Sequence, residues 1–289
     1  MASRLAQTAV GPMVIVAVDQ HEKHPLIHDE LAHRMLPTAM KAFVTLTRWG
    51  PVRRWMVAGM EKNVPGMWAS FLCRKRYIDD QLLNAAEAGI DAFVTLGAGF
   101  DTRAYRLPAL GKTPVYELDL PENIDRKQAL LNKMFGKVPD HVTLIPIDFN
   151  TQDLKDALAA HGHDSGNMRT FFAWEAVTQY LTEDGVRKTL AFLATARPGS
   201  RLVFTHLAKD FLDGRASYGA EKLYQEYVVK RRLWHFGLNP DQIEGFLAEY
   251  GWRVAEQPGP PDFTARYIEP TSRRLPVSEV ERSVSAEKI

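Results

Sequence analysis

A chain of 289 residues with 45% hydrophobic and 25% charged side chains carries enough apolar material for one large domain, or for one domain with an attached cap. Its formal net charge of +1 argues against a nucleic-acid footprint, and its single cysteine, Cys73, excludes internal disulfides and cysteine-based metal sites. The apolar run Met13 to Val18 is far shorter than a membrane span and no cleavage pattern follows it. A cytoplasmic protein with no membrane and no nucleic-acid partner is therefore expected.

Residues 1–89 read as a helical cap, because Leu31 to Met40, Phe43 to Ala58 and Lys75 to Ala88 place apolar side chains at spacings of three and four, with Pro37, Pro51 and Pro65 as breakers. His21, His24 and His28 fall in a polar stretch of this region without the glutamate partner of a zincin site, so they read as solvated or substrate-side residues and no metal is expected. From residue 90 the pattern alternates. Candidate strands Ala92 to Leu96, Pro114 to Leu118, Val142 to Ile147, Thr170 to Trp174 and Arg201 to His206 are separated by helical stretches near 103–108, 122–134, 151–160 and 183–196. This is the pattern of an α/β fold: a Rossmann-like, doubly wound, mostly parallel sheet over 90–289. Residues 212–250 read as a helical insertion. Trp252 to Val254 and Ala265 to Ile268 suit a closing antiparallel hairpin, and the polar last twenty residues suit a mobile end.

The most informative segment is Phe93-Val94-Thr95-Leu96-Gly97-Ala98-Gly99-Phe100-Asp101-Thr102-Arg103, with Val115-Tyr116-Glu117-Leu118-Asp119 behind it. A short apolar run ends in Gly-x-Gly, and the next ends in a carboxylate twenty positions after Gly99, the arrangement with which a Rossmann-like sheet holds a nucleoside. Glycines admit a ligand close to the backbone, and a carboxylate can accept hydrogen bonds from both ribose hydroxyls. The third glycine of a dinucleotide motif is replaced by Thr102, which disfavours a pyrophosphate and a nicotinamide oxidoreductase. A nucleoside without phosphates fits better, and S-adenosyl-L-methionine is the common cofactor of that description.

Ligands of such sheets lie outside the carboxyl ends of the strands. There the sequence offers Gly97 and Gly99, Asp119, Asp148 with Phe149, Glu175 and His206, one set per strand. Each acid has an alternative reading as a helix cap, Asp148 for the helix at 151–160 and Glu175 for a turn.

Three segments, Leu96 to Leu107, Glu117-Leu118-Asp119-Leu120-Pro121 and Trp174-Glu175-Ala176-Val177-Thr178-Gln179-Tyr180-Leu181, resemble the leucine carboxyl methyltransferase family, in particular its bacterial branch of S-adenosylmethionine-dependent and polyketide-type O-methyltransferases. Arg74-Lys75-Arg76-Tyr77-Ile78-Asp79-Asp80 resembles the family's Arg-Thr-x-x-x-Asp helix, and Glu281-Arg282-Ser283-Val284 is similar to its C-terminal pattern. The resemblance implies a class I methyltransferase in which Arg74 meets the methionine carboxylate, Gly97 lies under the methionine portion and Asp119 holds the ribose. It further implies Asp148 and Phe149 flanking the adenine, and Glu175 facing the cofactor's ammonium. Lys75 stands where many members have threonine.

A carboxylate acceptor needs no base, whereas a hydroxyl must lose its proton, for which Glu175 and His206 are the candidates. Tyr180 and Tyr267 are candidates for orienting substrate. The acceptor pocket should be walled by the N-terminal helices and the 212–250 insertion, with Trp49, Trp55, Trp68, Phe71, Tyr218, Tyr224, Tyr227, Trp234 and Phe236 available. An O-methyltransferase for a small molecule, a sugar or polyketide, is the leading expectation. Methylation of a protein C-terminus and a non-catalytic cofactor-binding homologue are the alternatives, and a homodimer is left open.

Overall fold

The computed structural model describes residues 10–149 and 151–289. Five helices precede the first strand: α1 (Val10–Asp19), α2 (Ala32–Met35), α3 (Thr38–Leu46), α4 (Gly50–Asn63) and α5 (Met67–Glu87). Alternating elements follow: β1 (Ala92–Leu96), α6 (Arg103–Arg106), β2 (Val115–Asp119), α7 (Pro121–Phe135), β3 (Val142–Pro146), α8 (Leu154–Ala159), β4 (Thr170–Trp174), α9 (Glu183–Leu193) and β5 (Arg201–Ala208). The remainder is α10 (Lys209–Leu212), α11 (Glu221–Tyr224), β6 (Gly237–Leu238), α12 (Ile243–Ala248), β7 (Trp252–Glu256), α13 (Pro260–Phe263) and β8 (Glu281–Lys288).

The eight strands form one sheet in the order β3-β2-β1-β4-β5-β8-β7, with β6 paired to the end of β5. Strands β1 to β5 are parallel, and β8 runs antiparallel to both β5 and β7. The order reverses beside β1, so the crevice at the carboxyl ends of β1 and β4 is the topological switch point.

Strands β1, β2 and β4 are buried at every position, as expected for central strands covered on both faces. Phe93, Val115, Phe171 and Val203 face a core shared with α1 and α5, while Val94, Leu96, Phe172, Trp174 and Phe204 face the side covered by α8, α9 and α12. Local chemistry sets the helix ends. Pro121 starts α7, Lys133 lies in its last turn and Gly136 ends it with φ at 82°. Thr182 caps α9 and Asp153 caps α8, so Asp148 is not the cap of that helix.

Three expectations are corrected. The helix expected over Leu31 to Met40 is broken at Leu36-Pro37, whose extended backbone separates α2 from α3. Ala265 to Ile268 is not a strand: two prolines open α13 and the chain continues as a π-turn over Thr264–Ile268. The partner of β7 is instead β8, drawn from the tail expected to be mobile. It lies between β5 and β7 with Ser283 to Ala286 buried, and its hydroxyls and charges concealed a central strand. The 212–250 insertion is built of short pieces, α11, a π-turn at Gln225–Lys230, β6, a 3-10 turn at Pro240–Gln242 and α12.

Candidate functional site

The glycine turn after β1 is built for close approach. Gly97 has φ at 82°, and a Cβ there would sit 2.3 Å from Val177 Cγ2. Gly99 also has positive φ, at 43°. The amides of Gly97 and Ala98 both donate to the Leu118 carbonyl at 2.8 Å, which ties the turn to the end of β2. Asp119 completes the tie by accepting from Gly99 N (2.5 Å), Leu120 N (2.7 Å) and Asn123 Nδ2 (2.7 Å). Only 8% exposed, its carboxylate is fixed at the cavity wall.

Glu175 follows β4 and lies among cations: Arg74 Nε at 2.9 Å, Arg103 Nη1 at 2.9 Å and Lys75 Nζ at 3.4 Å. Burial by itself would raise its pKa, but Lys75, Arg103 and Arg74 outweigh that and hold the carboxyl well below the usual carboxylate range. Such an acid is a poor proton acceptor near neutral pH, which argues against its use as a base. The other candidate base, His206, lies inside β5 rather than at its end, because the strand runs two residues further to Ala208. Its ring is fully buried and does not line the cavity, its Nδ1 lies 2.8 Å from the Leu207 carbonyl, and burial depresses its pKa to about 4.

Arg74 also pairs with Glu281 of β8, whose Oε1 is buried without a hydrogen-bond partner and whose residue lines the cavity. Glu281 was noted in sequence only as part of the C-terminal pattern. The other residues sequence reasoning missed stand behind the site. Arg103 is 1% exposed and bonds Glu175, Asp101 and Asp79. Asp79 in turn accepts from Arg106 at 2.6 Å. Thr102, where a dinucleotide motif has glycine, donates to Asp29 at 2.6 Å, and Tyr105 donates to Glu117 at 2.6 Å. Thus the polar side chains of Asp101 to Arg106 brace the charged cluster, and the signal for them was that dense motif itself.

The glycine turn, Asp119, Arg74, Lys75, Glu175 and Glu281 open onto one cavity of about 630 Å³, with Arg103 and its partner Asp79 behind them. Arg74, Gly97, Gly99, Asp119, Asp148, Phe149 and Glu175, drawn from five separate segments, all line it, so the structure brings these site residues together. Its far wall is apolar: Met13 of α1, Met40 of α3, Met56 and Met60 of α4, Met67 and Phe71 of α5, then Leu223, Tyr227 and Trp234. The π-turn at Gln225–Lys230 carries Tyr227, which stacks on Trp234 with ring centroids 4.7 Å apart. Tyr180 and Gln179 also face the cavity. Tyr267 does not line it and packs on Phe263, Trp68 and Phe236 are buried in the core, and Trp49 and Trp55 are exposed. Among the described residues no group of three or more His, Cys, Asp or Glu is arranged to hold a metal.

The residues fit a sulfonium nucleoside with an amino-acid tail. Buried carboxylates (Glu175, Glu281) and cations (Arg74, Lys75) at one end match a zwitterion, and a glycine turn with a fixed carboxylate and an aromatic ring (Asp119, Phe149) matches a nucleoside.

Residues 9–194 match the model of the leucine carboxyl methyltransferase family. A relative from Mycobacterium marinum, named "Putative S-adenosyl-L-methionine-dependent methyltransferase", is 28% identical over 277 residues, covering 91% of this chain and 87% of that protein. A similarly named protein from Mycolicibacterium smegmatis is 29% identical over 273 residues, covering 92% and 87%. In three dimensions the chain is similar to a solved structure from Thermobifida fusca YX, described as a "putative methyltransferase", with a TM-score of 0.57 at 19% identity over 82% of this chain and 88% of that one. A DUF574 family protein from Streptomyces avermitilis gives 0.54 at 15% identity, over 83% and 91%. The chain belongs to the leucine carboxyl methyltransferase family and is an S-adenosylmethionine-dependent methyltransferase.

Proposed function

We propose that the enzyme methylates an oxygen of a small, largely apolar acceptor whose oxygen is already ionised, a carboxylate or an acidic hydroxyl of polyketide type. The carrying observation is the make-up of the cavity beyond the charged cluster, where five of the chain's nine methionines and three aromatic residues form the wall. Methionine walls adapt to apolar bodies of varied shape, whereas a sugar needs a dense set of fixed polar partners.

In this reading Arg74 and Glu175 hold the two charges of the cofactor's tail, Gly97 and Gly99 admit it against the backbone, and Asp119 takes the ribose hydroxyls. Asp148 and Phe149 flank the adenine. When bound, the cofactor supplies an electrophilic methyl group on its sulfonium. The chain's contribution is to align an acceptor oxygen with that methyl in a space closed to water. Among the described residues of the apolar wall there is no imidazole or carboxylate to take a proton, Glu175 is engaged by three cations, and His206 is buried away from the cavity, which supports an acceptor that needs no base. An acceptor that arrives ionised removes the requirement.

The test is a methyl-transfer assay with apolar carboxylic acids, phenolic or enolic polyketides and sugars, followed by alkaline treatment of the products. Apolar acids yielding alkali-labile esters, or acidic polyketide hydroxyls yielding stable ethers, are expected, and kcat/KM should show no imidazole-type limb between pH 6 and 7. Transfer to sugars alone would overturn the reading.

A further inference from the structure

One outer face of the molecule is chemically unlike the rest. Residues 31–60 contain no Asp or Glu but carry Arg34, Lys41, Arg48, Arg53 and Arg54, so this stretch is five charges positive in a chain whose total is +1. It also displays Leu46, Trp49 and Trp55 at 63%, 67% and 74% exposure, half of the large apolar side chains exposed among the described residues. The cations crowd one another: Arg48, Arg53 and His33 help hold the His21 pKa down after burial, and Lys133 and Arg34 do the same at Lys41. Among the ion pairs of the described residues, Arg53 is the one of the five that meets a carboxylate, that of Glu22 at 2.7 Å.

Helix α4 is two-sided. Its inner positions Met56 and Met60 line the cavity, while Pro51, Arg54, Trp55, Ala58, Gly59 and Lys62 follow helical spacing along the exposed side. None of its residues is fully buried. The corner between α3 and α4 presents Leu46, Arg48 and Trp49.

We propose that the α3–α4 face docks on an anionic lipid bilayer, with Trp49 and Trp55 seated at the headgroup level and Arg48 and Arg54 paired with lipid phosphates. Indole rings favour the boundary between headgroups and acyl chains, and basic side chains near the surface add to the attraction. No helix among the described residues is long and apolar enough to cross a membrane, so the attachment is peripheral. The face leads directly to the methionine wall, which places α4 between the bilayer and the cavity. A second copy of this chain fits less well, because a two-fold interface would set this acid-free patch against its own cations.

The test is co-sedimentation of the full chain with vesicles of phosphatidylcholine alone or mixed with phosphatidylglycerol, with tryptophan emission recorded in parallel. Binding to the mixed vesicles only, weakened by salt and accompanied by a blue shift, is expected. Trp49→Ser/Trp55→Ser and Arg48→Glu/Arg54→Glu should each lower the bound fraction about tenfold or more. Both pairs are solvent-facing, so retained circular dichroism and S-adenosylhomocysteine binding would show that the fold is intact. Absence of vesicle binding, equal binding by the variants, preferential binding of single-stranded nucleic acid, or a dimer that the tryptophan variant dissolves would each overturn the proposal. The readout is binding alone, so it stands or falls independently of the acceptor's identity.

Discussion

Ala176, directly after Glu175, holds φ at 57°, a left-handed conformation that a side chain with a Cβ disfavours by about 1–2 kcal/mol. Its amide donates to Thr205 Oγ1 at 2.8 Å, so the strain is held by a bond that also fixes the turn beside Glu175. Ala176→Gly should relieve it and, after the added freedom of the unfolded chain, leave a gain of up to about 1 kcal/mol in urea-unfolding free energy. A loss would mean that the Ala176 methyl contributes packing that outweighs the strain. Asp119 ties the glycine turn to the end of β2 and, in the proposed reading, also holds the ribose. Asp119→Ala should weaken S-adenosylhomocysteine binding by about 1.5–3 kcal/mol in calorimetric titration and also lower stability, since Gly99 N and Leu120 N lose their acceptor. Unchanged affinity would take Asp119 out of the cofactor site. Behind them, Arg103→Met should cost about 3–5 kcal/mol of stability, because Glu175, Asp101 and Asp79 would be left buried around an apolar side chain. The glycine turn and the acids at strand ends were legible in sequence because Gly-x-Gly after one strand is matched by Asp119 at the end of the next, a combination more specific than either part. Arg103 was not, since an arginine in a loop motif does not reveal that it is turned inward.

At the level of elements, the parallel strands were readable because central strands are continuous apolar runs, and the five expected ones lie within two residues of those observed. β8 was not readable. Glu281-Arg282-Ser283-Val284-Ser285-Ala286-Glu287-Lys288 looks solvated, yet it pairs along seven positions with β5, and small serines are what a central strand can bury at little cost. Removing residues 281–289 should therefore abolish cooperative unfolding in calorimetry rather than trim a tail, whereas a truncated chain that melts normally would contradict the sheet order. The single substitution Glu281→Gln is a milder probe that leaves the strand in place. It removes one charge beside Arg74 and should change cofactor affinity without a matching change in melting temperature.

For the molecule as a whole, acid is the informative perturbant. His206 and His163 have pKa values pushed by burial to about 4 from an ordinary value of 6.5, so folding favours their neutral forms. Their contribution is fully present above pH 6.5 and is lost as pH falls toward 4, by about 3 kcal/mol for His206. Glu175 acts in the same direction at lower pH, below about 4.5. The raised carboxyls of Asp19, Asp29 and Glu117, with burial as the leading cause, oppose it. Urea midpoints measured from pH 7 down to 4 should fall, and His206→Gln should flatten that slope. Whole-chain charge also explains what composition concealed: a total of +1 averages over an acid-free stretch of thirty residues, so the sequence reading assigned no charged surface at all. The sheet order has a further consequence, for synthesis. Translation delivers β1 to β5 well before β8, yet β8 belongs between β5 and β7 and carries Glu281 to Arg74. A nascent chain in which β8 has not yet paired has an open edge on β5 and an incomplete charged cluster. The charged cluster around Arg74 is thus completed by the last strand to be synthesised among those of the sheet, and only once that strand has been inserted.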